Sequence, residues 1–467
     1  MHRELVDDRR WISESRFLHA LNYCMVLPGP EAQQLATYIG WRMHGTWGGI
    51  VAGGLFVLPS LVILVALSWL YMAYGDVAIV AGVLYGVKPA VVALVLHAAW
   101  RIGSRTLKHA SLWLIAAAAF VAIFAWSVPF PLIVIGAGLL GVVGGRVWPA
   151  SFRLGAAHTP QAREHAPAVI DDATPLPSYA RWSPRRLAAI VAAFLAIFAI
   201  ALGALAFAYG WTATLTQMGW FFTKAALLTF GGAYAVLPYV YQGAVESYQW
   251  LTPAQMIDGL ALGESTPGPL IMVVAFVGFV GAWTQALAGS APPAAGVAGA
   301  TVATFFTFLP SFLFILAGGP LVEGTHGRLA FTAPLTAITA AVVGVIVNLA
   351  AFFAWHVLWP RGATGGIDVA ALAIFVAATF ALFRAKAGVI PVIAACGLAG
   401  LVLRYLESKW RKVVRPSRRD SISRVSRTRS TIVDQSVAAR CHGDLPYGSP
   451  RSPGLMRGTG RPRRPAS

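Results

Sequence analysis

Apolar runs of about 18 or more residues recur along this chain, from "GGIVAGGLFVLPSLVILVALSWLYMAY" to "AGVIPVIAACGLAGLVL". That is the length the roughly 30 Å hydrocarbon layer of a membrane demands of a helix. Lipid offers no partners to backbone N–H and C=O groups, so each run must satisfy them within itself as a helix. A chain of 467 residues that is 57% hydrophobic and 12% charged, with a mean hydropathy of +0.67, lies far outside the composition of soluble globular proteins. The expected fold class is an all-α polytopic membrane protein. Its 16 Trp residues suit interfacial anchoring or packing between helices.

The net charge of +18 is peripheral. Between Lys409 and Ser467 there are 15 Lys/Arg and three Asp, and between Arg146 and Arg186 six Arg and three acids. Basic loops and tails of a membrane protein read first as cytoplasmic retention signals, and the Ser/Arg/Pro/Gly composition of the tail reads as disorder. No folded recognition element accompanies it, so nucleic acid is not an expected partner. Cys24, Cys396 and Cys441 have no disulfide-framework or metal-type spacing. No secretory signal is visible in "MHRELVDDRRW".

The chain repeats itself. Trp11 and Trp250 each precede a Pro-Gly-Pro by 17 residues, and the offset between the two copies is 239. At that offset Ser13 pairs with Thr252, Phe17 with Met256 and Leu21 with Leu260, which predicts a capped amphipathic helix before each Pro-Gly-Pro. The "LPS" triplets at Leu58 and Leu309, and Gly45/Gly48 with Gly296/Gly299, repeat at offset 251. The predicted organisation is a membrane repeat over 1–148, a hydrophilic linker over 149–185, a second repeat over 186–407 and a basic disordered tail over 408–467. Duplication of this kind is typical of secondary transporters, although channels and some membrane enzymes share it. "FFTKAALLTFGGAYAVLPYVYQ" is expected to form a helix ahead of the second copy. Only ten residues stand before Trp11, so the first repeat is expected to lack its counterpart of that helix.

The second Pro-Gly-Pro lies within "DGLALGESTPGPLIMVVAF". Pro267 and Pro269 lack N–H donors and clash with the preceding turn, and Gly268 loosens the backbone between them. The flanking stretches, about 15 and about 14 residues, would make helices of roughly 22 and 21 Å, too short to cross. Two half-helices meeting at depth are expected, as a broken span or a re-entrant hairpin; a turn at the membrane surface is the alternative. A break frees N–H groups at the start of the next half-helix, and these suit an oxyanion. The candidate substrate-binding residues are therefore Pro28, Gly29, Pro30, Gln33, Ser265, Thr266, Pro267, Gly268 and Pro269. Ser265 and Thr266 are read either as donors to the anion or as caps of the following half-helix.

Glu264 is a carboxylate in an apolar segment and is the candidate for proton coupling; its counterpart at offset 239 is Met25. Lys224 is a candidate anion ligand, sharing a helix face with Gly231 seven residues on, while snorkelling is the competing reading. Lys88 carries the same two readings. Glu31 fits a simple anion seat only if it is protonated or paired with Arg42. Gly45, Gly48 and Gly53, like Gly296 and Gly299, are expected to allow close helix contact. No phosphate loop, dinucleotide fingerprint or nucleophile elbow is present, so no catalytic residue, cofactor or metal is expected, and the drive must come from an ion gradient or membrane potential.

The combination of "VLPGPEAQQLATYIGW", "STPGPLIMVVAFVGF", "LTFGGAYAVLP" and the two "LPS" triplets closely resembles the chromate ion transporter family in its long, two-domain form. The resemblance covers nearly all of 1–407 and implies a multi-pass carrier of the bacterial inner membrane that exports chromate using the proton motive force. It carries functional weight onto Pro28-Gly29-Pro30, Phe230-Gly231-Gly232 and Pro267-Gly268-Pro269. The opening residues look like the family's segment just after its first Phe-Gly-Gly helix, and the basic tail has no counterpart there. The expected partners are a small oxyanion, protons and the lipid bilayer, and a homodimer is compatible with the sequence. A sulfate or other oxyanion carrier, and an enzyme acting on a phosphorylated lipid, are the alternatives.

Overall fold

The computed structural model describes residues 1–148, 152, 168–171, 177–180, 182–230, 232–285, 291–324 and 332–414. Before the linker run α1 (Glu14–Val26), α2 (Glu31–Tyr74), α3 (Ala78–Thr106), α4 (Ala110–Trp126) and α5 (Phe130–Val147). After it come α6 (Pro184–Tyr209), α7 (Thr214–Leu227), α8 (Ala233–Tyr241), α9 (Pro253–Ser265) and α10 (Val273–Thr284). The chain continues through α11 (Pro292–Gly324), α12 (Thr332–Leu358), α13 (Val369–Phe383) and α14 (Val389–Val414). No strand occurs among the described residues; one isolated bridge pairs Ile12 with Ile170. Seven of the described helices, α2, α3, α5, α6, α11, α12 and α14, are long and apolar enough to cross a membrane. The chain is a multi-pass helical membrane protein.

Burial sorts these helices by environment. In α6 only Leu202 is buried, while Ile200 and Phe207 are 71% and 96% exposed. An apolar helix with so little cover faces lipid. By contrast α10 is buried at every position from Val273 to Ala282, yet its 12 residues are too few to span. Around this interior, α12 packs on α3, α4 and α5, and α11 packs on α2 and α7. Residues Met1–Tyr405 thereby form one compact unit, with helices from either side of the linker interleaved. In the second unit, Leu406–Ser467, the described residues continue α14.

Two departures from straight helices matter. His44 (φ −134°, ψ 21°) and Gly45 (φ 67°, ψ −159°) divide α2 into limbs 31–43 and 46–74. A positive φ is tolerated at Gly45 because it has no Cβ. The limbs fold against each other: a Cβ on Gly40 would strike the Gly48 carbonyl, and one on Gly53 would strike Thr37. A second hairpin joins α10 to α11, with Gly278 and Gly299 each against the other's carbonyl. Close contact is thus the role of Gly48, Gly53 and Gly299, whereas Gly45 is the turn itself.

The other departure corrects the expectation of one helix through Phe230-Gly231-Gly232. α7 stops at Leu227 and α8 starts at Ala233, with Gly232 at φ 104°. Lys224 and the glycines therefore share no helix face; Gly231 lies outside the described residues.

The 239-residue offset also recurs in backbone shape. π-Helical turns occupy Arg3–Asp8 and Gln242–Ser247, followed by positive φ at Arg10 (51°) and Gln249 (53°). Trp11 N–H donates to Leu5 O at 2.8 Å, and Trp250 N–H to Ala244 O at 2.7 Å. Ser13 caps α1 by accepting from Arg16 N–H, and Thr252 caps α9 by accepting from Gln255 N–H, completing a capping box.

Substituting Gly278→Val should force α10 from α11 and cost about 1–3 kcal/mol. The expected readout is a lower apparent melting temperature of the detergent-solubilised protein. Gly54→Ala, where a Cβ meets nothing within 4 Å, should leave it unchanged.

Candidate functional site

Three interruptions of helices converge. The first, Leu27–Pro30, separates α1 from α2; the second, at 228–232, separates α7 from α8. The third, 266–269, separates α9 from a single 3-10 turn (Leu270–Met272) that runs into α10. Gly29 N–H donates to Thr229 O at 2.9 Å, tying the first break to the second. A Cβ on Gly232 would lie 4.0 Å from Glu31 Oε1, so that carboxylate faces the second break. The Tyr234 hydroxyl, in the first turn of α8, donates to Glu264 Oε1 in the last turn of α9. That bond links the second break to the third.

The central glycines of the Pro-Gly-Pro motifs have matching conformations, φ 123° at Gly29 and φ 132° at Gly268. Both are backbone states that L residues rarely adopt. The surroundings are matched crosswise. A Cβ on Gly29 would fall on Ser311 Oγ, and one on Gly268 on Ser60 Oγ. The Ser60 hydroxyl also donates to the Pro267 carbonyl. Each Pro-Gly-Pro is thus seated on the Ser of the "LPS" lying on the other side of the linker.

The individual side chains fall into three groups. Gln33 and Gln34 are fully buried. Gln33 Nε2 donates to Thr37 at 2.9 Å and Gln34 Nε2 to the Pro28 carbonyl at 2.8 Å. Their Oε1 atoms, and Ser311 Oγ, have no partner among the described residues. These are open polar atoms beside the first break. Sequence reasoning singled out Gln33 and overlooked Gln34, Ser60 and Ser311; the offset repeat of "LPS" was the signal for the two serines.

Ser265 and Thr266 do not cap the following half-helix. Their hydroxyls donate back to Leu262 O (2.9 Å) and Gly263 O (2.8 Å), and Thr266 is the C-cap of α9. They end the preceding half-helix. Lys224 turns its Nζ to 5.7 Å from the ring of Trp220, which is 49% exposed. No described side-chain contact joins it to the breaks. Glu31 and Arg42 are eleven residues apart on one helical limb, about 16 Å of rise, which rules out the pairing considered for them.

Pro30 and Pro269 stand at N-cap positions without side-chain caps. The first N–H groups of the helical segments that follow are therefore left to other partners. Backbone donors at interrupted helix starts, carboxylates at two of the breaks and buried amides, all inside a multi-pass helical unit, are features that membrane transporters share.

The chain belongs to the chromate transporter family, whose model matches residues 1–142 and 216–401. It is 34% identical over 409 residues to a chromate transport protein of Pseudomonas aeruginosa, covering 86% of each chain. It is 29% identical over 404 residues to one of Cupriavidus metallidurans, again covering 86% of each. A probable chromate transport protein of Synechococcus elongatus is 29% identical over 356 residues, 75% of this chain and 78% of the other. No solved structure matches.

Gly268→Ala should destabilise the protein through both the positive φ and the collision with Ser60, by about 1–3 kcal/mol. Adding Ser60→Gly should recover the steric part and leave the conformational part. Thermal denaturation of the single and double variants checks this.

Proposed function

We propose that this chain exports chromate, a tetrahedral dianion, across the bacterial inner membrane at the expense of the proton motive force. The observation that carries this reading is the meeting of three helix breaks inside the compact unit, read together with family membership. A dianion stripped of water needs donors that cost no reorganisation, and helix starts with their partial positive charge supply them. We place the breaks at depth in the bilayer and read the two sides of the linker as duplicated halves. On this reading the first half covers 1–148 and the second 186–407, with 149–185 as linker and 408–467 as tail.

The roles follow from position. Pro28, Gly29, Pro30, Pro267, Gly268 and Pro269 expose the amide ends, and Phe230, Gly231 and Gly232 open the backbone beside them. Gln33 lines the first break. Ser265, Thr266 and Lys224 join the anion's path only if their side chains turn from the partners they now hold. Glu264 holds a proton: neutralised, it no longer repels the cargo, and the Tyr234 hydroxyl keeps it at the junction of α8 and α9. Nothing in the geometry restricts the cargo to chromate over sulfate, which has the same shape and charge, so a sulfate carrier is the second reading.

Radiochromate uptake into inverted membrane vesicles, with and without a proton gradient, tests the proposal. Uptake should require the gradient, and Gly268→Leu should remove it almost completely. Glu264→Gln should abolish the response to the gradient. Excess sulfate should compete weakly; competition as strong as that of unlabelled chromate would favour the sulfate reading. Wild-type rates in Gly268→Leu would overturn the assignment of the site.

A further inference from the structure

One buried charge pair lies outside the meeting point of the breaks. Asp258, on α9, is 2% exposed. Its Oδ2 accepts from the Tyr71 hydroxyl at 3.0 Å and lies 3.3 Å from Lys88 Nζ. Its Oδ1 has no partner among the described residues. A carboxylate with one oxygen doubly satisfied and the other bare is an incomplete pair, which is a costly arrangement at depth. The chain does not bury this group by default: Asp258 stands in an apolar helix where any small apolar residue would pack, so its charge calls for a use.

The pair opens on a cavity of about 400 Å³ lined also by Tyr85, Asp76, Gln255 and Arg404. Arg404, on α14, lies 4.8 Å over the ring of Tyr85, whose hydroxyl is bound to Asp368 at 2.8 Å. Two cations on different helices, Lys88 and Arg404, thus border one cavity, and Lys88 is paired there with Asp258. The elements packed most closely on α9 are α2, α3, α10, α12 and the Leu270–Met272 turn. From α2 comes Tyr71, and past its end Asp76; from α3 come Lys88 and Tyr85. α10 and the Leu270–Met272 turn carry no ionisable side chain, and α12 only His356, engaged with Phe352 O at 3.0 Å. Asp258 is eight residues before Thr266, where the third break starts, so it lies about 12 Å, or roughly two turns, from that break along the same helix.

We propose that Asp258 and Lys88 form a proton-gated oxyanion station in this cavity. With Asp258 charged, Lys88 Nζ is bound to it. A proton arriving on Oδ1 neutralises the carboxyl group and releases Lys88 to a tetrahedral oxyanion, whose other oxygens meet Arg404. The proton stays on Asp258 while the anion is bound, so one protein group takes up a proton with each anion it admits. This inference rests on the oxyanion-carrier reading and assigns a second station to it.

The test is equilibrium binding of chromate, and in parallel of sulfate, to the full chain in nanodiscs at about pH 6 and about pH 8. Variants are compared with wild type at each pH, so that chromate's own protonation cancels. Wild type should bind more tightly at the lower pH, since protonation of Asp258 frees the lysine. Asp258→Asn should bind as tightly as wild type at the lower pH and more tightly than wild type at the higher, and should bind sulfate equally at both. Lys88→Met should lose about tenfold or more of affinity, the worth of one charge-assisted contact. The double variant, which removes both charges and leaves no unpaired ion, should fold and behave like Lys88→Met without pH dependence. A wild-type pH response in Asp258→Asn or in the double variant overturns the station. So does wild-type affinity in Lys88→Met while Gly268→Leu fails to bind, an outcome that leaves the carrier reading intact. A wild-type chain that binds neither anion sinks both.

Discussion

The backbone's demand for hydrogen bonds in lipid governs this molecule. A continuous helix meets the demand alone, and an interrupted one transfers it to neighbours. Here the interruptions are not scattered but answer one another. The N–H of Gly29 finds the Thr229 carbonyl, the Pro267 carbonyl finds Ser60, and Tyr234 bridges to Glu264. Each break is stable because another break, or the serine of a distant triplet, completes it.

Such mutual completion explains why the innermost helix is also one of the shortest. α10 is fully buried and follows directly on a break, so both its starting amides and its apolar surface are enclosed by protein. Longer helices such as α6 stand outside and present apolar side chains to lipid. The chain thereby keeps its irregular backbone away from the hydrocarbon and spends its regular helices on the perimeter.

Much of this was legible in the residues. Apolar run lengths gave the helical membrane class, and prolines flanking glycine gave the two interruptions with helices too short to span. Ser13 and Thr252 were readable as caps because capping depends on a local side chain. The second interruption, at 228–232, was not legible, since a Phe-Gly-Gly inside an apolar stretch is compatible with a helix, and only tertiary contacts decide that Gly232 takes φ 104°. The π-helical turns at Arg3–Asp8 and Gln242–Ser247 share a shape but, of their six positions, only the valine Val6/Val245 is identical, so a comparison of letters scarcely reveals them. The back-bonding of Ser265 and Thr266 was not legible, because a hydroxyl near a break has several acceptors in reach, and here the nearest are carbonyls of its own helix. Asp258 passed unnoticed beside Glu264 because its partner, Lys88, is far away in the chain.

The crosswise seating of the two Pro-Gly-Pro turns has a bearing on biogenesis. During synthesis Gly29 emerges some 280 residues ahead of Ser311, the side chain that closes over it. The early turn must therefore wait, half-completed, in the insertion machinery or the bilayer until the later segment arrives. Completion of the first turn is thereby tied to the arrival of the second half, and a chain severed between the two would be expected to regain shape only when both fragments are made together.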